Sequence, residues 1–434
     1  AKHEDALQCC QAQGFFGFMF LCCQWALGER LCQNRIYATN QERVSESAMD
    51  APARQKVDLP IYPSPEAVVA DLDPSYPIFC VRPHKIHSVA RRFVEGFPGD
   101  VLYAVKCNPE PHMLDALFAA GVHHFDTASL VEVARVSEQL PGATSYFMHP
   151  VKSRAAILSA HRVYGVDHFV VDHPAELEKI AQIVPPGPDT VIVVRLEIHY
   201  EGAVYELSSK FGAPLPEAAA LARDALARGY RYGLSFHVGS QCLEAEGFEM
   251  GLDLVGQVIA QVGESPVCVD VGGGFPGRYL NSQGAELDDF FVAIRKGLAT
   301  LALPEECRVL CEPGRGLCVD GESLITQVHL RKDDALYLND GMYGSFIEEK
   351  LGLQLPVRMI GSRPFASKTK EYTLYGPTCD SLDIFPRPIS LPVDVAEGDW
   401  IEFDRIGAYG TACRTQFNGF YADTFIKVES DFGS

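Results

Sequence analysis

The stretch "HHFDTASLVEVARVSEQL", residues 123–140, contains the structural unit that decides the fold of most of the chain. Its first part, "HHFDTAS" (123–129), predicts a short strand that ends in polar residues. Its second part, "SLVEVARVSEQL", places apolar residues three and four positions apart, which predicts an amphipathic helix. A strand, a polar tip and a helix together form one β/α unit.

The same unit recurs throughout residues 100–314. The pattern predicts seven further strands, "DVLYAVK" (100–106), "SYFMHP" (145–150), "HFVVDH" (168–173), "TVIVVRLE" (190–197), "YGLSFHVGS" (232–240), "VCVDVGGG" (267–274) and "RVLCEPG" (308–314). Helix-like stretches such as "PAELEKIAQIV" and "PEAAALARDALARG" lie between them. Eight strands separated by seven helices are typical of a (β/α)₈ barrel, so we predict an α/β, TIM-like fold.

The pattern changes after Gly316. Segments such as "ITQVHL", "PVRMIG" and "YTLYG" are short, β-rich and separated by turns, with no long amphipathic helix among them. We therefore predict a barrel over residues 82–317 and a second, mostly β domain over residues 318–434. Residues 49–81 are predicted to be a linker and an N-terminal strand that joins the β domain.

Residues 1–48 differ in composition from the rest of the chain. They carry five of the 14 cysteines, one of the two tryptophans and the apolar run "GFFGFMFLCCQWAL". That run is shorter than the roughly 20 apolar residues that a membrane span needs. A signal peptide is the alternative, but its basic start and small-residue cleavage site are poorly formed. We predict an atypical extension outside the fold, followed by ordinary sequence from Met49.

Charge and cysteine usage limit the classes of partner. The formal net charge of −20 argues against a nucleic-acid or anionic-membrane partner and is compatible with cationic ligands. The cysteines after residue 48 form no CxxC pair. Cys307, Cys311 and Cys318 come closest to metal-ligand spacing, but a predicted strand runs through them, which favours buried core over zinc. We predict no metal and a reducing, cytoplasmic location.

Polar residues stand where the predicted barrel strands end, and barrel enzymes place their chemistry at those ends. These residues are Lys106, Asp126, His149, Asp172, Arg195, His237, the glycines at 272–274, and Glu312. A metal hydrolase is one alternative, but it typically has an HxH strand, and none occurs here. A lysine-bound cofactor requires a strand-end lysine, an anion cradle and a carboxylate for a ring nitrogen. All of these parts are present.

Three motifs supply the anion cradle and the carboxylate. "DVGGGFPG" (270–277) offers backbone N–H groups that approach an anion closely because glycine has no Cβ. "HVGSQ" adds Ser240 as a second anion donor close to His237. "CEPGRG" (311–316) supplies Glu312 together with the amides of Gly314 and Arg315.

The chain resembles the fold-type III, pyridoxal-phosphate-dependent basic amino acid decarboxylases, with the ornithine decarboxylases as the best match. The resemblance rests on "YAVKCN", "FHVGSQ", "DVGGGFPG", "CEPGRG", "YGPTCDSLD" and "GAYGTACRTQFNGF", which follow in the family's order from about residue 76 to 425. It implies pyridoxal 5'-phosphate as cofactor and an alanine racemase-like pairing of a barrel with a β domain. Residues 1–48 have no counterpart in the family.

The resemblance also implies roles for the residues at the strand ends. Lys106 would bind the cofactor covalently, Glu312 would pair with the ring nitrogen, and His237 would stack on the ring. Asp126 and Arg195 match the supporting polar shell, although each is also explained by a structural ion pair. The residues that match the phosphate cradle are Ser240, Gly274, Gly314, Arg315 and Tyr409.

A second set of roles falls on the β domain. In the family, the "PTCDSLD" loop completes the active site of the partner subunit, which implies a homodimer with shared sites. Cys379 would then return a proton to the substrate carbon, while Asp380 and Tyr343 would bind substrate. In eukaryotic family members an aspartate follows that tyrosine by nine residues and grips the distal amine. This chain has Gly352 there, with Glu348 and Glu349 nearby.

The implied reaction is decarboxylation of L-ornithine to putrescine in polyamine biosynthesis. A lysine or dual lysine/ornithine decarboxylase remains the alternative, because one methylene in a pocket changes discrimination by only about 1–3 kcal/mol. Diaminopimelate decarboxylases carry Glu after the cysteine, whereas Asp380 would repel an anionic distal group. Arginine decarboxylation, a racemase and a non-catalytic binding homologue are less favoured. A racemase leaves "CDSLD" unexplained, and a non-catalytic chain should have lost Lys106, Cys379 or Asp380.

Overall fold

The computed structural model describes residues 58–205, 210–282 and 284–434. Eight parallel strands close into a barrel, in which each strand pairs with the next and the last pairs with the first. The strands are Asp100–Ala104, His124–Thr127, Thr144–Phe147, His168–Val171, Val191–Arg195, Arg231–Ser235, Cys268–Asp270 and Arg308–Cys311. The predicted (β/α)₈ barrel is confirmed. The predicted extension, residues 1–48, lies outside the described residues.

Helices follow the first seven barrel strands and form the outer layer. They are Pro111–Ala119, Leu130–Gln139, Arg154–Tyr164, Pro174–Ala181, Leu215–Ala227, Glu246–Val262 and Leu287–Thr300, with Pro83–Gly96 before the first strand. The helix Leu130–Gln139 shows why they form where they do. It begins after Ser129, whose side chain accepts a hydrogen bond from Glu132 N, and it buries Val133 and Val136.

Nine of the remaining strands form a second sheet, which confirms the mostly β second domain. They are Ile61–Tyr62, Ile78–Val81, Glu322–Lys332, Ala335–Leu338, Val357–Ile360, Thr369–Tyr375, Ile389–Pro392, Trp400–Phe403 and Thr424–Val428. The first two precede the barrel in the chain. Ile78–Val81 lies between Glu322–Lys332, to which it is antiparallel, and Thr424–Val428, to which it is parallel. The sheet is therefore built from both ends of the described chain.

Shorter elements connect these two parts. A small two-stranded antiparallel sheet pairs Ala203–Tyr205 with Ser240–Cys242. Short α-helices cover Pro65–Leu72, Arg315–Cys318 and Ile347–Lys350, and 3₁₀ turns cover Val105–Cys107, Val319–Gly321 and Phe417–Gly419. Within the described ranges, no helix combines the length and the apolar character that crossing a membrane requires.

The barrel has a packed interior. Leu102, Tyr146, Val170, Val193 and Leu310 come from five different strands and belong to one buried cluster. Because side chains alternate along a strand, neighbours on the same strands face the helix layer instead. A filled interior leaves the carboxyl ends of the strands, where loops begin, as the place for a site.

Candidate active site

Lys106 lies just beyond the first barrel strand, in the 3₁₀ turn Val105–Cys107, and not on the strand itself. Its Nζ atom lies 3.2 Å from Oδ2 of the buried Asp126 at the end of the second strand. The Asp126 carboxylate raises the pKa of Lys106, Glu312 raises it further, and burial and Arg195 oppose the rise. The two strand ends therefore form an ion pair at the barrel mouth.

Glu312 follows the eighth strand and is buried. Burial raises its pKa well above the ordinary range, and the neighbouring carboxylates of Asp270 and Asp126 add to the effect. Asp270 is fully buried, and burial raises its pKa to about 7. Its Oδ1 accepts a hydrogen bond from Gly272 N at 2.8 Å, whereas its Oδ2 has no partner among the described residues. The sequence analysis missed Asp270, although this residue ends the strand of the "DVGGG" motif.

Arg195 and His237 lie at the same barrel mouth, at the ends of the fifth and sixth strands. Arg195 ends the fifth strand, and its buried Nε has no hydrogen-bond partner in the described part of the chain. His237 follows the sixth strand, and its Nδ1 accepts a hydrogen bond from Gly239 N at 3.1 Å. Burial lowers the pKa of His237 well below its ordinary value, and the charges of Arg195 and Lys106 lower it further. His237 is therefore a neutral imidazole.

Two of the predicted strand-end residues serve a neighbouring loop. Asp172 Oδ2 accepts a hydrogen bond from Gly212 N at 3.0 Å. The His149 ring packs edge-on against the Phe211 ring, with 5.3 Å between the ring centroids. Both residues therefore support the loop around Phe211, which borders the group around Lys106: the Arg195 guanidinium carbon lies 5.6 Å from the centroid of the same Phe211 ring.

The glycine turn after the seventh strand depends on conformations that favour glycine. Gly272 and Gly274 have φ angles of +70° and +105°, in the left-handed region. A Cβ on Gly274 would lie 2.7 Å from Val238 Cγ2 and 2.8 Å from Gly239 O. Only glycine lets this turn pass so close to the loop that carries Ser240.

The remaining cradle residues gather around Arg315. Its Nη2 lies 3.5 Å from Ser240 Oγ, and its Cζ lies 5.1 Å from the centroid of the Tyr409 ring. Tyr409 N donates to Cys107 O at 2.8 Å, which ties the cradle to the turn that carries Lys106. A Cβ on Gly314 would lie 3.0 Å from Cys107 Cβ. Ser240, Gly314, Arg315 and Tyr409 are therefore brought together.

Tyr343, Cys379 and Asp380 form a second group, in the β domain. The Tyr343 hydroxyl donates to Asp380 Oδ2 at 2.6 Å, which lowers the pKa of Asp380. The backbone N and the Sγ of Cys379 both donate to Asn418 Oδ1, at 3.0 and 3.1 Å. Cys379 is exposed and Asp380 is half-buried. Among the described residues, no hydrogen bond or ion pair joins this group to the one around Lys106.

Asp383 holds the loop of this second group in place. Its buried carboxylate accepts hydrogen bonds from Met342 N at 2.7 Å, Thr378 N at 3.0 Å and Thr378 Oγ1 at 2.7 Å. The sequence analysis missed this residue, although it is the last letter of "PTCDSLD". Asp380, three positions earlier, is only half-buried, so only the fold distinguishes the structural aspartate from the more accessible one.

Comparison with known proteins places this site in a family. The family described as "Pyridoxal-dependent decarboxylase, pyridoxal binding domain" matches residues 84–319. The chain belongs to this family. It is a pyridoxal-phosphate-dependent decarboxylase and hence a lyase.

Several of its relatives are named as decarboxylases of basic amino acids. The chain is 33% identical over 343 residues to the lysine/ornithine decarboxylase of Selenomonas ruminantium, covering 76% of this chain and 83% of that protein. It is 31% identical over 361 residues to the ornithine decarboxylase of Cricetulus griseus, covering 78% and 77%. The structure of the Vibrio vulnificus lysine/ornithine decarboxylase complexed with putrescine has a TM-score of 0.73 at 30% identity, covering 85% of this chain and 99% of that one.

The residues at the barrel mouth fit the cofactor of the family. Lys106 would present an amine to its aldehyde, and the buried Glu312 would present a carboxyl to its ring nitrogen. The glycine turn and Arg315 offer donors for its phosphate, including the buried Arg315 Nε, which has no partner among the described residues. The unpartnered Nε of Arg195 is a further donor at the same mouth.

Proposed function

We propose that this protein decarboxylates L-ornithine to putrescine, as a cytoplasmic enzyme of polyamine biosynthesis. The observation that supports it most is the barrel mouth, where Lys106 pairs with Asp126 beside the glycine turn. Pyridoxal phosphate, when bound, supplies an electron sink for the electron pair released with the carboxylate. Asp126, Arg195, His237 and Glu312 surround the place where its ring would lie.

The chain's own residues bind the substrate and supply a proton. Asp380 is an anion because its pKa is lowered, so it binds the distal ammonium of the substrate, with Tyr343 fixing its orientation. The Cys379 thiol donates a hydrogen bond to Asn418 Oδ1, which fixes the direction of its S–H group. Cys379 is therefore placed to give a proton to the product carbon, as a positioned general acid.

Lysine is the second candidate substrate. Gly352 stands where eukaryotic family members carry a second carboxylate for the distal amine. Glu348 and Glu349 do not replace it, because they are buried in ion pairs with Arg315 and Arg387. A distal ammonium held by Asp380 without that second carboxylate is less restricted in its distance from the reacting carbon. The lysine/ornithine relatives agree with this broader specificity.

A homodimer with shared active sites accounts for the separation of the two groups. Cys379 is exposed and Asp380 is half-buried. Large apolar side chains of the same loop, and of the segment around Asn418 that contacts Cys379, are exposed as well. These are Leu382, Ile384, Phe417, Phe420 and Tyr421. Exposed apolar side chains on one face are typical of a surface that another chain covers. We infer that the "PTCDSLD" loop enters the barrel mouth of a second copy.

Release of CO₂ from ornithine, lysine, arginine and diaminopimelate, measured side by side, tests the function. We expect the highest kcat/KM for ornithine, with lysine lower by a factor of about 10 to 200, the discrimination that one methylene allows. The D380N variant should lose most activity toward both substrates because the ammonium loses its counter-charge. A preference for arginine or diaminopimelate would contradict the proposal, as would the absence of CO₂ release when pyridoxal phosphate is present.

A further inference from the structure

Arg315 has a second buried partner that the cofactor site does not require. The carboxylate of Glu348, in the short helix Ile347–Lys350, forms a close ion pair with Arg315 Nη1. The same Nη1 donates to the Tyr279 hydroxyl at 2.6 Å. The Arg315 and Glu348 side chains are only 4% and 6% exposed. One end of the guanidinium is therefore fully engaged, away from solvent.

The other end of the guanidinium is available. Arg315 Nε is buried and has no partner among the described residues. Nη2 lies 3.5 Å from Ser240 Oγ, at the upper limit for a hydrogen bond. Both atoms are donors, so they suit an anion bound near Ser240. Glu348 and such an anion would hold different edges of the same guanidinium.

The charges around Arg315 are few. Its guanidinium carbon lies 5.7 and 5.1 Å from the centroids of the Tyr279 and Tyr409 rings. Burial raises the pKa of both hydroxyls, and it also raises the pKa of Tyr205 and Cys413, which Glu348 influences as well. All four groups are therefore neutral. Within the described residues, Glu348 is the one carboxylate in contact with Arg315, and the two opposite charges cancel.

We propose that Glu348 is the internal counter-anion of Arg315 and weakens the hold of this chain on the cofactor phosphate. The inference rests on the proposed cofactor cradle. Without a phosphate, Glu348 compensates a guanidinium whose burial would otherwise be costly. With a phosphate, the carboxylate is a second negative charge on the same guanidinium, and the two anions compete for its positive charge. No assigned role in decarboxylation requires this carboxylate.

The E348Q variant tests the proposal because glutamine keeps the shape and removes the charge. Cofactor-free wild-type and variant proteins are titrated with pyridoxal phosphate and with pyridoxal, which lacks the phosphate. We expect E348Q to bind pyridoxal phosphate about tenfold more tightly, since one buried like charge is removed, and to bind pyridoxal unchanged. Pyridoxal phosphate at a fixed concentration should also raise the Tm of E348Q more than that of wild type.

Glu349 provides a matched control in the same helix. It is buried and forms an ion pair with Arg387 at 2.9 Å. Its Oε1 also accepts a hydrogen bond from Leu355 N at 2.8 Å. E349Q should leave the affinities for both ligands unchanged, whatever its effect on stability. An E348Q variant that binds pyridoxal phosphate no more tightly than wild type contradicts the proposal. So does an equal change in affinity for both ligands. A wild-type protein that binds no pyridoxal phosphate overturns the proposed cradle itself.

A second pair of variants covers the case in which E348Q does not fold. R315Q leaves Glu348 as an uncompensated negative charge beside the cradle, whereas R315Q/E348Q removes both charges. We expect the double variant to bind pyridoxal phosphate more tightly than R315Q, with equal affinity of the two for pyridoxal. Equal affinity for pyridoxal phosphate as well would overturn the role of Glu348.

Discussion

At the scale of single residues, the protonation state of Lys106 at the barrel mouth depends on the charged groups around it. Lys106 faces Asp126 at 3.2 Å, with Glu312 and Arg195 nearby. The carboxylates stabilise its ammonium form, while burial and Arg195 favour the neutral amine. The balance of these effects favours the ammonium form, and the proposed role of Lys106 requires that it lose this proton when it reacts as an amine.

The D126N variant tests this balance. Asp126 is the largest cause of the raised pKa of Lys106, so its loss should lower that pKa and increase the amine fraction at a given pH. The rate at which pyridoxal labels Lys106 should then reach half its maximum at a lower pH than in wild type. Borohydride trapping and peptide mapping measure that rate at each pH.

D172N serves as the control for that experiment, because Asp172 accepts from Gly212 N and does not touch Lys106. Its labelling profile should coincide with that of wild type. An unshifted profile in D126N would show that Asp126 does not control Lys106. Labelling of a different lysine would contradict the assignment of Lys106 itself.

At the scale of elements, a loop becomes a rigid support when one buried carboxylate satisfies several backbone donors. Asp383 accepts three hydrogen bonds, two of them from Thr378, and so fixes the start of the segment that carries Cys379 and Asp380. The Asn418 side chain also holds this segment, because its Oδ1 accepts hydrogen bonds from the N and Sγ of Cys379. The positions of Cys379 and Asp380 are therefore fixed by the residues on either side of them.

Replacing Asp383 with alanine should destabilise the protein by about 3 kcal/mol, because buried donors lose a charged acceptor. Chemical denaturation of D383A and wild type measures the difference in the free energy of unfolding. D380A is the matched control: Asp380 is only half-buried and accepts from the Tyr343 hydroxyl and Leu382 N near the surface, so its loss should cost only about 1 kcal/mol. Equal stability of D383A and wild type would show that the loop does not depend on this carboxylate.

At the scale of the whole molecule, the candidate site is split between two surfaces. The barrel mouth holds Lys106, and the β domain presents Cys379 and Asp380 beside exposed apolar side chains. In a twofold dimer, each surface of one copy can face the complementary surface of the other. Two complete sites then form only when two chains associate.

Mixing two inactive variants tests whether the site is shared. K106A and C379A chains each lack one essential group, but a heterodimer of the two contains one site with both groups intact. After subunit exchange of equal amounts, half of the dimers should be heterodimers with one good site of two. We expect activity to return to about a quarter of wild type, the random-pairing value for a twofold dimer.

Sedimentation of a size-tagged variant establishes in the same experiment that exchange has occurred. Two tagged K106A/C379A double variants mixed in the same way provide the control and should stay inactive. Heterodimers that form and restore no activity would mean that Lys106 and Cys379 of one chain serve the same site.

The sequence alone determined the barrel and most of the candidate residues. The period of apolar residues along the chain is a local property, so the eight strands and their helices follow from it. Strand ends are local too, which is why Lys106, Arg195, His237 and Glu312 could be found from their positions. The glycine turn was visible for the same reason, because left-handed backbone conformations favour one residue type.

Only the tertiary structure decided which of these residues meet. Asp126 turns toward Lys106, whereas Asp172 supports a loop, although both stand at strand ends. Glu348 reaches Arg315, 33 positions earlier in the chain, and the strand Ile78–Val81 crosses to the sheet formed after the barrel. Such partnerships depend on how distant segments pack and on strand register. A pattern within a short window of sequence carries no record of either.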